Sequence, residues 1–350
     1  MKPTRRSVLA CLASLAVMPA VAACGSDEPG SATPATEAPQ GGGEEGAFPV
    51  TIAHKYGETT LEAAPARVVC VGLTDQDALL ALGIVPVGVT YWFGEESKRG
   101  IYSWAEEALG DSEPPTLLKN TSGVEIEQVA GLQPDLIIGT YSGLTEKEYE
   151  LLSKLAPTVA QSGDYADYGT PWDEATLTVG TAVGQPAATQ DLIEQVKARI
   201  NEEAAAHPEF AGQTAAVVTP YEGLFIYGPE DPRSRMLVDL GFELPPIITD
   251  ATDSEFGISL SSERTSDLGD VGAVVWLDLS ADEQVQTVFE GTTAHEEGRW
   301  LDISDADGDY YVAHSFVTPL SIPYVLDRYV PQLAAAADGD PATEIPSPAA

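Results

Sequence analysis

The stretch from Ala64 to Val89 reads APARVVCVGLTDQDALLALGIVPVGV, and its reading decides the fold. Val68 to Val71 is a short β-branched run that stops at Gly72. Such side chains favour a pleated, buried strand. Asp75 to Leu82 follows with no internal breaker, Thr74 stands where an N-cap is needed, and Gly83 supplies a C-terminal stop. That pattern predicts a helix. Pro86 to Val89 then begins a second strand. Short apolar strands alternating with helices predict a parallel sheet covered on both faces.

The alternation continues outward. Leu117–Leu118 reads as a brief strand, Glu125 to Leu132 as a helix, Asp135 to Gly139 as a strand, Leu144 to Leu155 as a helix and Thr158 to Ala160 as a strand. Trp172 to Val183 and Ala187 to Ala206 read as helices, the second with Ile193, Val196 and Ile200 on one face and Pro208 as its stop. The pattern then restarts. Ala215–Thr219, Phe225–Tyr227 and Ala273–Leu277 read as strands, Arg235 to Leu240 as a helix stopped by Gly241, and Ser321 to Ala337 as a final helix before a Pro- and Ala-rich tail. Two α/β halves joined by a long helical segment account for the length of 350 residues better than one core would.

Residues 1–23 have the plan of an export signal, with Lys2, Arg5 and Arg6 ahead of an apolar run and no acid before Asp27. The run ends at Ala22-Ala23-Cys24, which resembles a lipobox in which Cys24 is lipidated and becomes the mature N-terminus. The alternative is an ordinary signal peptide with a coincidental Cys. Thr4-Arg5-Arg6-Ser7-Val8-Leu9 also resembles a twin-arginine signal, with Val8 in place of the usual Phe. Residues 24–47 are rich in Gly, Pro, Ser, Thr and Glu and read as a disordered tether, reaching roughly 25 Å. The formal net charge is −38, from 17 basic and 55 acidic residues. Removing residues 1–23 takes three basic residues and no acid, so 14 basic and 55 acidic residues leave −41. That excess excludes nucleic acid as a partner, since no basic stripe exists to displace counterions. Cys70, in a strand without a partner, reads as an inert core thiol.

Several stretches together resemble one family. They are Ala64-Pro-Ala-Arg-Val-Val69, Ala81-Leu-Gly-Ile-Val-Pro-Val-Gly-Val89, Leu132-Gln-Pro-Asp-Leu-Ile-Ile-Gly139, Leu155-Ala-Pro-Thr-Val159, Leu240-Gly-Phe-Glu-Leu-Pro245 and Thr318-Pro-Leu-Ser-Ile-Pro-Tyr324. In order and spacing they resemble the substrate-binding lipoproteins of iron–siderophore and vitamin B12 ABC importers, the last two the actinobacterial siderophore branch. The resemblance spans residues 48–337. It implies two Rossmann-like α/β lobes joined by a single long rigid helix (the class III periplasmic-binding-protein fold), with the ligand between them. The domain expectation is then a signal peptide at 1–23, a tether at 24–47, an N-terminal lobe at 48–185, a connecting helix at 186–207, a C-terminal lobe at 208–337 and a flexible tail at 338–350. One stiff connector predicts only small closure. The resemblance further implies a ferric siderophore as ligand, no cofactor and no directly held metal. It implies a monomer anchored through Cys24 on the extracytoplasmic face of the membrane, and a permease with its ATPase as partners. Family glutamates that meet permease arginines fall on Glu127, in the pattern Glu-x-x-x-x-Leu-x-Pro-Asp, and on Glu263, in Leu-Ser-Ser-Glu263-Arg. The alternative for each is an ordinary solvated acid.

Ligands of open α/β sheets sit beyond the carboxyl ends of the strands. There the sequence offers Thr74, Tyr91, Trp92, Tyr141 and Ser142 in the first half, and Tyr221, Tyr227, Trp276 and Phe316 in the second, with Trp172 at the mouth. Tyr and Trp give a bulky chelate broad faces with a polar edge. The competing role for each is core packing. Arg233 and Arg235 form a close cationic pair, suited to an oxygen-rich ligand or, alternatively, to surface pairing with Glu230, Asp231 or Asp239. Cobalamin or haem binding on the same fold and a secreted lipoprotein enzyme are the competing functions. The four His residues lack metal-ligand spacing. Asp305-Ala-Asp307-Gly308-Asp309 fails the calcium-loop pattern, and neither a nucleophile elbow nor a phosphate loop occurs.

Overall fold

The computed structural model describes residues 43–91, 100–120, 123–251, 256–303 and 308–348, all within one unit spanning 40–350. The expectations for residues 1–42, Trp92, Asp305 and Asp307 lie outside the described residues. An antiparallel hairpin, β1 (Val50–His54) and β2 (Gly57–Leu61), opens the structure and was not foreseen. Its buried positions alternate, and Ile52 and Leu61 join the N-terminal core.

The N-terminal sheet contains β3 (Val68–Cys70), β4 (Gly88–Tyr91), β5 (Thr116–Lys119), β6 (Leu136–Gly139) and β7 (Thr158–Ala160). It runs wholly parallel in the order β5-β4-β3-β6-β7. The chain leaves β3 toward one edge and returns to its other side as β6. The crevice of such a sheet opens at that switch point, beyond β3 and β6. Cys70 is free and fully buried there, and burial, with the nearby acids Asp75 and Asp77, pushes its thiol well above its ordinary range.

The C-terminal sheet contains β8 (Ala215–Pro220), β9 (Leu224–Tyr227), β10 (Gly257–Leu260), β11 (Ala273–Trp276) and β12 (Trp300–Asp302), ordered β10-β9-β8-β11-β12. It is mixed rather than wholly parallel. β9 runs antiparallel to both β8 and β10, while β8, β11 and β12 are parallel. The cause is the short Tyr221-Glu222-Gly223 connection, closed by Tyr221 N–H on the Gly223 carbonyl at 3.0 Å. A parallel crossover needs a dozen or more residues. Gly223 has φ +114°, and a Cβ there would meet the Leu260 carbonyl oxygen at 2.4 Å, so the turn requires glycine.

One helix, Pro186–Ala206, passes between the lobes, with Pro at its first position as helix starts favour. Its 21 residues span roughly 30 Å. The first turns press on helix Trp172–Ala182 of the N-terminal lobe, and Val196 and Ile200 enter the C-terminal core. The helix pair is closest at Gly180, where an added Cβ would stand 1.8 Å from Thr189 Oγ1. Thr189 is fully buried and donates to the Gln185 carbonyl at 2.6 Å, so it has nowhere to retreat. Gly180→Ala is therefore expected to destabilise the protein by about 1–3 kcal/mol despite the better helix propensity of Ala. The urea midpoint should fall at an unchanged slope, and an unchanged midpoint would refute the close contact.

One further expectation is corrected. Thr74 stands at the N-cap position of helix Asp75–Ala81, but its side chain makes no capping bond. Residues 338–348, read from the sequence as a tail, lie against the C-terminal lobe. Ile345 packs on the core, Gln332 Nε2 donates to the Pro346 carbonyl at 2.8 Å, and Thr343 Oγ1 donates to Asp338 at 2.7 Å.

Candidate functional site

The loops leaving β3 and β6 carry Thr74, Asp75, Thr140 and Tyr141 to the switch point. Helix Trp172–Ala182 supplies Trp172, Thr176 and Val179 from one side, and Pro232 and Val317–Pro319 of the C-terminal half close the other. Together they line a recess of about 20 Å³ between the halves of the molecule. Its wall includes Thr74, Tyr141 and Trp172 from the sequence expectations. A second recess, of about 10 Å³, shares Trp172, Pro232 and Val317 and reaches Arg235.

An aromatic group gathers where Tyr141 faces the C-terminal half. Tyr141 meets Tyr168 edge-on at 5.3 Å and Phe316 edge-on at 6.3 Å. Burial raises the Tyr141 hydroxyl well above its ordinary pKa, and Asp231 adds to this, so the phenol stays protonated. Arg233 lies nearby with its guanidinium 3.7 Å from the centre of the Tyr227 ring. Asp231, fully buried, takes its Nε at 2.8 Å and its Nη2 at 2.6 Å. Burial opposes the charge on Arg233, but Asp231 more than offsets this and holds its pKa above the usual value. The pairing foreseen as an alternative is thus present, though buried rather than on the surface. Arg235 instead crosses to the N-terminal half, donating from Nη1 to the Gly169 carbonyl at 2.5 Å with Tyr165 under its guanidinium at 5.4 Å. Glu230 makes a parallel tie, accepting from Ala166 N–H at 3.0 Å.

Other expected residues fall differently. Trp276 is not a cleft residue. It is fully buried against Phe289, because strand residues alternate faces and its parity on β11 directs it with Val274 into the opposite core layer. Tyr221 is 63% exposed at the tip of the β8–β9 hairpin, away from both recesses. The Ser142 hydroxyl is committed to its own loop, donating to Gly139 and accepting from Leu144 N–H. Tyr91 is half-buried at the end of β4. Glu127, in helix Ile126–Gly131, and Glu263, in the 3₁₀ segment Ser262–Asp270, are both exposed.

Sequence reasoning missed Asp77. Its Oδ2 accepts from Trp104 Nε1 at 2.8 Å and from Thr318 Oγ1 at 2.6 Å, and Thr318 lies 241 positions away in the other half. The Thr318 and Ser321 hydroxyls also accept one another's backbone N–H at 2.9 Å, at the entry to helix Ser321–Ala337. The motif beginning at Thr318 is thereby a tie between halves as well as a helix start. Asp75 accepts from the Thr140 N–H and hydroxyl. Among the described residues no group of three His, Cys, Asp or Glu could hold a metal, and no helix is long and apolar enough to cross a membrane.

Burial raises both Asp75 and Asp77 from 3.8 to about 6, against the opposing pull of their hydrogen bonds. In that window the native state holds protons that the unfolded chain has released. Their contribution to stability is therefore complete below about pH 4 and lost as pH rises through about 6. His314, fully buried and pushed from 6.5 down to about 3 by burial and then by Arg233, acts oppositely and loses its contribution as pH falls. Comparing Asp75→Asn/Asp77→Asn with the parent protein isolates the carboxylates. The difference in thermal midpoint should move in favour of the variant between pH 4 and pH 7, and a pH-independent difference would exclude the raised values.

A family model described as periplasmic binding protein matches residues 68–295. Among solved structures, a periplasmic solute binding protein from Mycobacterium smegmatis is 33% identical, with a TM-score of 0.70 over 82% of this chain and 98% of that one. PiaA of Streptococcus pneumoniae in complex with ferrichrome is 27% identical, with a TM-score of 0.73 over 83% and 99%. The Fe(3+) dicitrate-binding periplasmic protein FecB of Escherichia coli is 27% identical over 213 residues, 61% of this chain and 68% of that one. YhfQ of Bacillus subtilis is 28% identical over 215 residues, and the match spans only 62% of its length.

Proposed function

Because the chain belongs to the periplasmic binding protein family, we propose that it is the substrate-binding component of an ABC importer, capturing a ferric siderophore between its two halves. The observation that carries this is the recess at the sheet's switch point, with Tyr141, Tyr168, Phe316 and Tyr227 grouped beside it. A chelate with broad organic faces fits aromatic walls better than a small polar solute does. The likeness to PiaA, solved with ferrichrome, supports the same reading.

The protein acts as a carrier rather than a catalyst, and passes its ligand to a permease coupled to an ATPase. Glu127 and Glu263 are its docking carboxylates. In support, each is exposed and follows the edge strand of its sheet, β5 in one and β10 in the other. β10 is antiparallel to β9 and so runs in the direction of β8. The two acids thus follow the carboxyl ends of corresponding edge strands. Two separated carboxylates can fix a docking register through charge-assisted bonds. Cys24 provides the lipid anchor of an acidic monomer on the extracytoplasmic face of the membrane.

The test is titration of the full chain with ferric siderophore, iron-free siderophore and cobalamin, read by quenching of tryptophan fluorescence. Trp172 lines the recess and should report occupancy. Saturable binding of the ferric form alone is expected. Preference for cobalamin, or turnover of any ligand, would overturn the reading.

A further inference from the structure

We propose that the ligand is a ferric chelate without net negative charge, of the tris-hydroxamate kind, and that Asp231 sets this preference by occupying Arg233. The inference rests on the importer reading above and narrows it.

The argument is an inventory of charge. The lining of the first recess includes the carboxylate of Asp75 but no Lys or Arg. The cation closest to the Tyr141 cluster, Arg233, is covered on its Nε and Nη2 edge by Asp231 and on one face by Tyr227. Arg235 is turned to the Gly169 carbonyl and Tyr165. His314, packed edge-on against Tyr329, is held neutral by burial and by the charge of Arg233. Asp77 and Glu230 add acids at the same boundary.

An anion entering such a recess loses its hydration, and with no unpaired cation among the described residues of the lining only neutral donors such as Thr140 and Tyr141 remain to offset the loss. An anion would have to compete with a buried, bidentate Asp231. The −41 charge of the chain beyond residue 23 also repels anions at long range. Three singly charged hydroxamates cancel the charge of iron(III), whereas three catecholates leave it strongly negative. The neutral chelate avoids the desolvation cost and still uses the aromatic walls.

Ferrichrome, a ferric tris-catecholate and ferric dicitrate, titrated against the full chain, separate the possibilities. Ferrichrome should bind about a hundredfold more tightly than either anion, and its affinity should stay nearly flat as salt is raised. Equal or tighter binding of an anionic chelate would overturn this inference and leave the importer reading standing. Binding of none of the three would overturn the importer reading itself. Asp231→Asn releases Arg233 and should shift the ratio toward the anions by about tenfold, and an unchanged ratio in the folded variant would remove Asp231 from the account. Should that variant not fold, the salt dependence decides alone: a steep loss of ferrichrome affinity with salt would count against an uncharged ligand.

Discussion

Replacing both Glu127 and Glu263 by Lys is expected to abolish iron uptake while leaving the affinity for ferric siderophore within about twofold. Both carboxylates are exposed, and neither lines either recess, so ligand contacts should be untouched. At an interface each charge reversal replaces a hydrogen-bonded ion pair with like charges, and losses of about 2–5 kcal/mol per buried pair are typical. Two such losses lower productive docking far more than a hundredfold. Uptake of radiolabelled ferric chelate in cells expressing the variant, beside a fluorescence titration of the purified protein, gives both readings. Normal uptake would remove the docking role, and a matching loss of ligand affinity would show that the carboxylates act on the site instead. Each single reversal should fall between the parent protein and the double variant.

Asp231→Ala is expected to destabilise the protein by about 3 kcal/mol or more. Three contributions converge on this one side chain. It accepts the backbone N–H of Arg233 at 2.9 Å and so caps helix Pro232–Asp239. It takes two guanidinium bonds from Arg233. It is also wholly buried, so its removal leaves Arg233 without its counterion in a place where water cannot replace it. Loss of an N-cap costs about 1 kcal/mol, and breaking one side of a buried pair costs about 3–5 kcal/mol. Asp231→Ala/Arg233→Met removes the stranded charge and should recover much of the loss. Denaturant unfolding of the two variants measures the coupling, and equal destabilisation of both would mean that the buried charge is not the cause.

Much of the framework was legible because the relevant signals are local. Thr158–Ala160 and Ser321–Ala337 have the bounds expected from the sequence, and Pro186–Ala206 differs from its expectation by one residue at its start. The hairpin Val50–Leu61 escaped because its apolar residues are sparse, and only the burial alternation of a packed sheet reveals them. The antiparallel β9 was hidden by treating each strand separately. The Tyr221-Glu222-Gly223 turn could have signalled it, since so short a connection permits only a hairpin. Trp276 was placed by its position at a strand end, while its face was set by strand parity. Tyr141 and Thr74 lie on the recess because the switch-point rule depends on strand order, which the N-terminal half follows, while Trp172 reaches it from the first turn of helix Trp172–Ala182.

The sequence alone determined two α/β halves, the helix that joins them and the aromatic character of the loops at the crevice, because periodicity and breakers act over a few residues. It also named Arg233 and Asp231 as possible partners. Only the tertiary structure decided that they pair out of water, beside the Tyr141 cluster. The same holds for Asp77, which meets Thr318 across 241 positions of chain. Which polar groups meet, and whether water can reach them, depends on packing between distant segments. Which charges stay free beside the recess therefore follows from the fold rather than from the count of acids and bases.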